Sequence, residues 1–591
     1  MGSFFVLLPY LTFELFLLLL LTHFTSYTFS LCNHHDKFAL LQFKNSLAIN
    51  TSSKPDIWYV CSSFSFKTES WTNNTDCCEW DGVMCNPVSG HVISLDLSCN
   101  NLKGVLHPNS TIFQLNNLQQ LNLAFNDFSG SLMHAEIGNL VSLTHLNLSN
   151  TGISGNIPYT ISYLSKLVSL DLSNNGYMSL KLDPFTWKKL IHNATNLREL
   201  HLEDVNMTSI RESSLLLLKN LSSSLVSLNL ASTELQGNLS SDLFYLPNLK
   251  VLDLSYNYYL GGQLPKTNWT SPLRYLDLSS TTLSGEIPYS IGQLKYLTQL
   301  VLSYCNFDGL VPPSLWNLTK LKYLDLSYNN LEGEISNVFG PLPTSCIKNF
   351  QGMKNLNVTQ TGLQYMMGNY KNYNESVVVI MKGFFMNLTR ILTSFTTIDL
   401  SNNMFEGEIP EVIGELNSLI GLNLSNNGIT GTIPKSLGNL INLEWLDLSR
   451  NHLTGEIPES LSNLTFLCFL NLSQNQLEGI IPTGKQFDTF GNVSYEGNAM
   501  LCGLPLSKSC KNDKYQLPQS TSNDEEETGF GFGWKSVAIG YGCGAVFGVL
   551  LGYNVFLTGK PRCLATFIEN MFRIRLKRTH YRAGANHRGI N

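Results

Sequence analysis

The stretch LNLSNNGITGTIPKSLGNLINLEW, residues 422–445, decides the fold of this chain. Leu422 and Leu424 alternate with a polar residue, so a short strand turns two leucines to the same side. Asn427 follows at a fixed offset, where its amide can bond backbone groups that the turn leaves unpaired. A glycine, a proline and three further leucines complete a coil that cannot bury its own apolar side chains. Stacked copies can bury them, which predicts a repeat protein.

The phrase recurs along most of the chain. Its strand cores begin at residues 95, 121, 146, 170, 200, 228, 252, 276, 300, 324, 398, 422, 446 and 470. The step is 24 residues from 252 to 324 and from 398 onward, and it stretches to 30 in the first half. The period predicts a leucine-rich-repeat solenoid with a parallel β-sheet along its concave face.

Two polar positions accompany the leucines. Nine strands are followed by the asparagine, small residues such as Thr151 replace it elsewhere, and Val205 is the real departure. Aspartates recur at the third strand position, and we interpret them as solvated residues of the concave face. These are Asp96, Asp171, Asp253, Asp277, Asp325, Asp399 and Asp447. With no phosphate-cradling glycine loop, HExxH motif or nucleophile elbow, we expect neither an enzyme nor a cofactor or metal site.

Composition points to an extracellular chain. Charged residues make up 14% of the 591 residues, the net charge is −6, and nucleic acid is therefore not an expected partner. Serine, threonine and asparagine take the place of charges, and 17 Asn-x-Ser/Thr sequons predict N-glycosylation. The candidates are Asn50, Asn73, Asn109, Asn147, Asn193, Asn206, Asn220, Asn238, Asn268, Asn317, Asn357, Asn374, Asn387, Asn423, Asn463, Asn471 and Asn492.

The N-terminal region predicts a signal peptide (1–30) and a cysteine-containing cap (31–90). We expect a helix from Asp36 to Ile49 with Phe38, Leu41 and Leu47 on one side. The cysteine spacing suggests the pairs Cys32–Cys77, Cys78–Cys85 and Cys61–Cys99. A zinc site built from His34, His35 and the neighbouring cysteines is the alternative.

The middle of the chain predicts repeats at 91–340, an island region at 341–394 and further repeats at 395–482. The island is rich in Tyr, Met, Asn and Lys and contains a β-like run, Val377–Met381. A long segment without the repeat pattern is more often functional than accidental. A degenerate pair of repeats is the alternative.

The C-terminal region predicts an anchor. A cap and spacer (483–522) contains Cys502 and Cys510, which we expect to pair, and an acidic stretch (523–535) follows. Residues 536–558 carry no charge and are long enough to span a bilayer, and the tail (559–591) is basic. The charge asymmetry places the repeats outside the cell in a single-pass type I topology. Glycines at every fourth position of the span predict helix packing: Gly540, Gly544, Gly548 and Gly552.

For ligand binding we expect the concave face, at outward positions that depart from the repeat. The candidates form a charged cluster and an aromatic stripe: Arg198, Glu199, His201, Glu203, Asp204, Tyr275, Gln299, Tyr304, Tyr323 and Tyr328. Aromatic and arginine side chains are favoured as interface anchors. The regular repeats after the island offer a second surface for a shared partner, with Trp445, Arg450 and Phe469 as candidates.

At this point a family resemblance can be stated. The motif DCCEWDGVMC, the LxxLxLSxNxLxGxIP repeat of plant type, SVVVIMKG, and the cap QFDTFGNVSYEGNAMLCGLPLSKSC resemble plant leucine-rich-repeat receptor-like proteins. Among these, the chain is similar to the tomato Cf-type leaf-mould resistance proteins. The glycine-rich span and short basic tail fit the same pattern.

The resemblance implies a plasma-membrane immune receptor with its ectodomain in the apoplast. It implies an extracellular proteinaceous elicitor as ligand, an adaptor receptor-like kinase bound through the membrane span, and a co-receptor kinase docked on the C-terminal repeats. One departure is that such proteins usually carry many more repeats before the island. The alternatives are therefore a shortened inactive paralogue, a developmental peptide co-receptor, or an inhibitor of a microbial wall-degrading enzyme.

Overall fold

The computed structural model describes residues 31–49, 61, 66–211, 216–221, 223–267, 269–339, 353, 377–381, 384–388 and 395–510. Over these ranges the chain is a leucine-rich-repeat solenoid with one long sheet. The strands of this sheet are β1 (Val83–Cys85), β2 (Val92–Asp96), β3 (Gln120–Asn122), β4 (His145–Asn147), β5 (Ser169–Asp171), β6 (Glu199–His201), β7 (Ser227–Asn229), β8 (Val251–Asp253), β9 (Tyr275–Asp277), β10 (Gln299–Val301), β11 (Tyr323–Asp325), β12 (Thr397–Asp399), β13 (Gly421–Asn423), β14 (Trp445–Asp447) and β15 (Phe469–Asn471).

The parallel strands of the main sheet, from β2 onward, keep one register. β1 runs antiparallel to β2 and covers the first edge, while the later neighbours are parallel. Leu422 of β13 lies opposite Leu446 of β14, and both are fully buried. Since the middle residue of each strand points inward, the leucines of successive repeats form one continuous core. Burying one such side chain contributes roughly 1.5–3 kcal/mol before the cost in conformational entropy.

The asparagine that follows nine of the strands ties neighbouring repeats together. The Asn427 side chain donates to the carbonyls of Leu400 and Leu424, both at 3.1 Å, and accepts from the Phe405 N–H at 3.1 Å. Its predicted role is therefore confirmed. Thr151 keeps part of this pattern, since its hydroxyl donates to the Leu148 carbonyl at 2.8 Å.

A second ladder of short strands, which the leucine pattern does not predict, follows each strand of the main sheet from mid-chain onward. Seven strands form one sheet: Gln236–Asn238, Tyr259–Gly262, Thr282–Glu286, Asn306–Leu310, Asn330–Glu334, Met404–Glu408 and Gly428–Thr430. Three more, Thr454–Glu456, Gln476–Ile480 and Met500–Cys502, continue it at the C-terminal end. Smaller pairs join Ala48–Ile49 to Leu102–Lys103 and Gly155–Asn156 to Leu180–Lys181.

The convex side is built from short helical turns. The α-helices are α1 (His34–Asn45), α2 (Pro184–Asn193) and α3 (Ile335–Val338). The 3₁₀ turns are Lys67–Ser70, Cys77–Glu79, Thr111–Gln114, Ala135–Asn139, Tyr159–Tyr163, Leu216–Leu221, Ser241–Tyr245, Tyr289–Gln293, Pro313–Asn317, Glu411–Glu415, Lys435–Asn439, Glu459–Asn463, Lys485–Thr489 and Asn492–Ser494.

The cap helix differs from its predicted position. It ends at Asn45 instead of Ile49 and buries Ala39, Leu40 and Phe43, whereas Phe38 is 67% exposed. The prediction is wrong at Phe38, whereas Leu41 and Leu47 are partly buried and pack against the core. A polar residue belongs to the buried side. Asp36 is buried, and its Oδ2 accepts a hydrogen bond from the Val92 N–H at 2.9 Å. The same oxygen lies 3.0 Å from Nδ1 of His91.

The island prediction is supported by the pairing of β11 with β12. Tyr323 lies opposite Thr397, so β11 and β12 are direct neighbours in the main sheet. This adjacency argues against the alternative of two degenerate repeats, and most of the island region lies outside the described residues. The predicted strand Val377–Met381 is confirmed, and it pairs antiparallel with Phe384–Leu388.

Candidate functional site

The concave face presents two rows of side chains. In each strand the first and third residues point away from the leucine core, and the register aligns them across repeats. Tyr275, Gln299 and Tyr323 occupy the first row on β9, β10 and β11. Asp277 and Asp325 belong to the second row.

The aspartates of the second row are not solvated in the centre of the sheet, which corrects the sequence interpretation. Asp171, Asp277, Asp325 and Asp399 are buried. In Asp277, Oδ1 accepts from the N–H of Ser279 at 2.9 Å and from its hydroxyl at 2.7 Å. Burial raises the pKa of Asp277 to about 8 and that of Asp399 to about 7.

Tyr275 joins two neighbouring carboxyl groups. Its hydroxyl lies 3.1 Å from Oδ2 of Asp277 and 3.3 Å from Oδ2 of Asp253. A phenol has one proton to donate, so both contacts are fully satisfied when one carboxyl group is protonated and donates in return. Burial also raises the pKa of Asp253. The three groups therefore favour a shared proton at neutral pH.

The predicted charged cluster contains one buried side chain, His201, and others that are half-buried or exposed. Glu203 Oε2 accepts from the amides of Asn174 and Asn229 at 3.3 and 3.4 Å, and burial raises its pKa to about 7. His201 is buried, its Nε2 lies 2.8 Å from the Ser227 hydroxyl, and burial lowers its pKa.

The rest of that cluster is accessible. Arg198 is exposed, and Glu199 and Asp204 are half-buried. The cluster is thus a mixed surface in which the arginine is the group open to a partner.

The aromatic stripe divides in the same way. Tyr304 and Tyr328 stack with their ring centres 4.1 Å apart and their planes inclined by 12°, and both rings are more than one-third exposed. Tyr275, Gln299 and Tyr323 are each about 97% buried, so the prediction that they are outward anchors is wrong. The exposed pair lies beyond the strands, at turn positions with positive φ, and is therefore not covered by the rows of the sheet.

The second predicted surface also needs correction. Trp445 is 3% exposed, and its ring occupies the space where a side chain at Gly421 would lie on the neighbouring strand. The structure gives its indole Nε1 no hydrogen-bond partner in the described part. Arg450 is exposed and Phe469 is half-buried, so these two residues can still meet a partner.

The sequence reasoning missed Gly421. Its signal was a glycine at the first strand position, directly opposite a tryptophan in the next repeat. The recurrent Asp-Leu-Ser triplet was a second signal. In each triplet the serine two residues after the aspartate can donate hydrogen bonds to its carboxylate, as Ser279 does to Asp277.

The cap cysteines are joined as disulfides. Cys32 pairs with Cys77, Cys61 with Cys99, and Cys78 with Cys85, with Cα–Cα distances of 5.5, 5.8 and 5.4 Å. Cys502 pairs with Cys510. The sulfur atoms of Cys32, Cys77, Cys78 and Cys85 lie within 4.8 Å of one another, but disulfide sulfur is not the thiolate that zinc requires.

The described sequons differ in exposure, and those on the strands of the main sheet are buried or half-buried. Asn423 is buried and donates to Oδ2 of Asp399 at 3.0 Å, and Asn147 and Asn471 occupy the same strand position. Asn193 donates to the Ser162 carbonyl at 2.9 Å, and the Asn206 side chain accepts from Thr208. Exposed sequons are Asn73, Asn109, Asn220, Asn238, Asn317, Asn463 and Asn492. The side chains of Asn50, Asn268, Asn357, Asn374 and Asn387 lie outside the described part.

The predicted membrane span and its glycines, Gly540, Gly544, Gly548 and Gly552, lie outside the described residues. Among the residues that are described, no helix combines the length and the apolar character needed to cross a bilayer.

The fold and concave sheet define the chain as a leucine-rich-repeat protein. Family models described as Leucine rich repeat match residues 271–331 and 418–477 and, as shorter matches, 142–164 and 394–416. A model described as Leucine rich repeat N-terminal domain matches residues 33–86.

The resemblance to plant receptor-like proteins is confirmed. Receptor-like protein Cf-9 of Solanum pimpinellifolium is 40% identical over 245 residues, which are 41% of this chain and 28% of Cf-9. Receptor-like protein 6 of Arabidopsis thaliana is 39% identical over 249 residues, which are 41% of this chain and 25% of that protein. The aligned part thus spans about a quarter of the length of these relatives.

The comparison with solved structures gives partial likenesses. One is the leucine-rich-repeat ectodomain of the plant membrane receptor kinase GASSHO1/SCHENGEN3 from Arabidopsis thaliana, in complex with CASPARIAN STRIP INTEGRITY FACTOR 2. The likeness has a TM-score of 0.48 and 27% identity, and it covers 69% of this chain and 47% of that chain.

Proposed function

We propose that this chain is a cell-surface receptor-like protein of plant immunity that binds an extracellular proteinaceous elicitor on its concave face. The observation that carries the proposal is the exposed Tyr304–Tyr328 stack beside the sheet. Two rings that already support one another lose little conformational freedom on binding, which suits an interface anchor. Arg198 supplies an exposed cation at the other end of the irregular repeats.

In this proposal the intracellular signal comes from associated kinases. An adaptor receptor-like kinase would associate through the glycine face at 540–552. A co-receptor kinase would dock on the repeats after the island, where Arg450 and Phe469 remain accessible.

The test is transient expression of the full chain in leaves challenged with a panel of apoplastic fluids, scored for cell death and oxidative burst. We expect one fluid to trigger a response that Tyr304→Ala together with Tyr328→Ala abolishes. Tyr289→Ala, which removes an exposed tyrosine from a convex turn, is the matched control and should leave the response intact.

Two outcomes would contradict parts of the proposal. Silence with every fluid would favour a shortened copy that has lost recognition. A response that survives Gly544→Leu with Gly548→Leu, with unchanged kinase co-purification, would show that the span is only an anchor. An inhibitor of a wall-degrading enzyme would instead reduce that enzyme's activity without any leaf response.

A further inference from the structure

A groove lies on the convex side at the N-terminal end, away from the concave face. Its volume is about 650 Å³, and it runs from the cap helix across three successive 3₁₀ turns. The side chains that matter here are His35, Gln114, Asn116, Asn139, Val141 and Tyr163.

The turns place three of these residues side by side. Gln114, Asn139 and Tyr163 are the last residues of the turns Thr111–Gln114, Ala135–Asn139 and Tyr159–Tyr163. All three are exposed. Equivalent positions in stacked repeats lie next to one another, so the groove presents two amides and a ring in a row.

The amide side chains of the groove do not hold the fold together. Within the described part, the side chains of Gln114, Asn116 and Asn139 make no hydrogen bond to the protein. By contrast, Asn442, which lies three residues after the turn Lys435–Asn439, donates to the carbonyl of Asn417 at 2.7 Å. Each free amide offers two N–H donors and a carbonyl acceptor to a ligand.

The ring is held in place without being buried. Tyr163 meets Tyr159 edge-to-face, with ring centres 5.8 Å apart and planes at 88°, and each ring is 51% exposed. Such edge-to-face pairs are favourable arrangements of aromatic rings. One face of a fixed tyrosine is thus available at the end of the groove.

The lining favours a neutral ligand. It contains no aspartate, glutamate, lysine or arginine, and its histidine, His35, already faces Asp36 with Nδ1 3.8 Å from Oδ1, so a charged ligand would meet no permanent counter-charge. Paired donors and acceptors match neighbouring sugar hydroxyls, and a tyrosine face matches the C–H face of a pyranose. We propose that this groove binds a neutral oligosaccharide.

Two sources could supply that chemistry. One is a free wall-type oligosaccharide. The other is the chain's own N-glycan at Asn109, an exposed sequon residue two positions before the first turn of the groove. The groove is separate from the concave residues of the proposed function, so failure of either proposal leaves the other standing.

The test titrates full-length chain, purified from plant cells in detergent micelles, with cellohexaose, xylohexaose and the mannose–N-acetylglucosamine core of an N-glycan. Binding is followed by saturation-transfer NMR, and hexagalacturonate serves as the charged comparison. We expect one neutral sugar to bind saturably. Tyr163→Ala and Asn139→Ala should each raise its Kd about three- to tenfold, the loss expected for one ring contact or one hydrogen-bonding group.

The controls separate the sources. Tyr289→Ala, a change of the same kind on a distant convex turn, should leave the Kd unchanged. If Asn109→Gln is needed before free sugar binds, the chain's own glycan occupies the groove. The proposal is overturned if neither wild type nor Asn109→Gln binds a neutral sugar, if Tyr163→Ala binds as well as wild type, or if hexagalacturonate binds equally.

Discussion

Asp277 shows how one position of the repeat acquires different properties along the stack. Asp96 occupies the same place in β2, where it is half-exposed and forms a salt bridge with Lys67 at 3.3 Å. Asp277 is buried between strands and approached by the Tyr275 hydroxyl. The leucine pattern is identical in both repeats, so the protonation state depends on neighbours that stand about 24 residues away in sequence.

At the residue scale, this predicts a stability that falls as the pH rises from about 4 to 8. Folded Asp277 and Asp399 keep protons up to pKa values of about 8 and about 7, whereas unfolded carboxyls release them near the ordinary value of 3.8. The folded state then binds more protons in this window, and each extra proton lowers the unfolding free energy by at most about 1.4 kcal/mol per pH unit. Thermal unfolding of the full chain between pH 5 and pH 8 measures the effect.

The side chain responsible can be identified by substitution. Asp277→Asn keeps a neutral, hydrogen-bonding group and should flatten the pH dependence. Asp308→Asn, made at an exposed position of the second sheet, should leave the slope as in wild type. A melting temperature that does not change between pH 5 and pH 8 would show that the buried carboxyls are ionised in the folded state.

A second residue-scale prediction concerns Gly421. A methyl group there would overlap the Trp445 ring, which must then move within a packed layer. We expect Gly421→Ala to destabilise the chain by about 1–3 kcal/mol, as overpacking typically does. Gly491→Ala, where no heavy atom lies within 4 Å of the new methyl, should change stability by less than about 0.5 kcal/mol. Chemical denaturation compares the two variants.

The pair can be tested as a cycle. If the overlap is the cause, Trp445→Leu should remove most of the penalty of Gly421→Ala, giving a coupling free energy of about 1 kcal/mol or more. If the two changes in unfolding free energy simply add, the loss in Gly421→Ala comes from the backbone conformation at residue 421 and not from overlap with the Trp445 ring.

At the scale of elements, the sequence predicts what depends on periodicity. The strands of the main sheet follow from alternating leucines, and the place of the island follows from the missing pattern between 324 and 398. The second sheet was not predictable in this way, because its strands carry Gly and charged residues and depend on pairing between repeats. The exposure of Tyr275, Tyr323 and Trp445 depends on neighbours across the sheet, which one repeat does not contain.

The cap helix supplies an element-scale prediction with a matched pair. Phe43 is 1% exposed on the inner face of α1, and Phe38 is 67% exposed on the opposite side. Phe43→Ala should cost about 3–5 kcal/mol through the lost burial and the cavity left behind. Phe38→Ala removes the same atoms and should change stability by less than about 0.5 kcal/mol. Equal losses in the two variants would show that Phe38 is buried, as the sequence predicted.

At the scale of the whole molecule, the two faces of the solenoid carry different chemistry. The concave face holds buried carboxyls, a tyrosine stack and a tryptophan fitted to a glycine. The convex side holds amides, exposed tyrosines and many of the accessible sequons. Because each repeat contributes one strand and one turn, the same period distributes these groups to opposite sides.

The distribution of sequons over the two faces gives the last prediction. Asn423 and Asn463 both lie in Asn-Leu-Ser/Thr sequons of the regular repeats, but the first is on β13 and the second ends an exposed turn. A glycan attached to Asn423 before folding would have to lie in the buried row beside Asp399, so chains that carry it should not reach the native fold. Glycopeptide mass spectrometry of the mature chain should find Asn463 and Asn317 occupied in most molecules and Asn423 unmodified. Substantial occupancy at Asn423 would mean that this row of the concave face is open to solvent, and the raised pKa of Asp399 would then lose its cause.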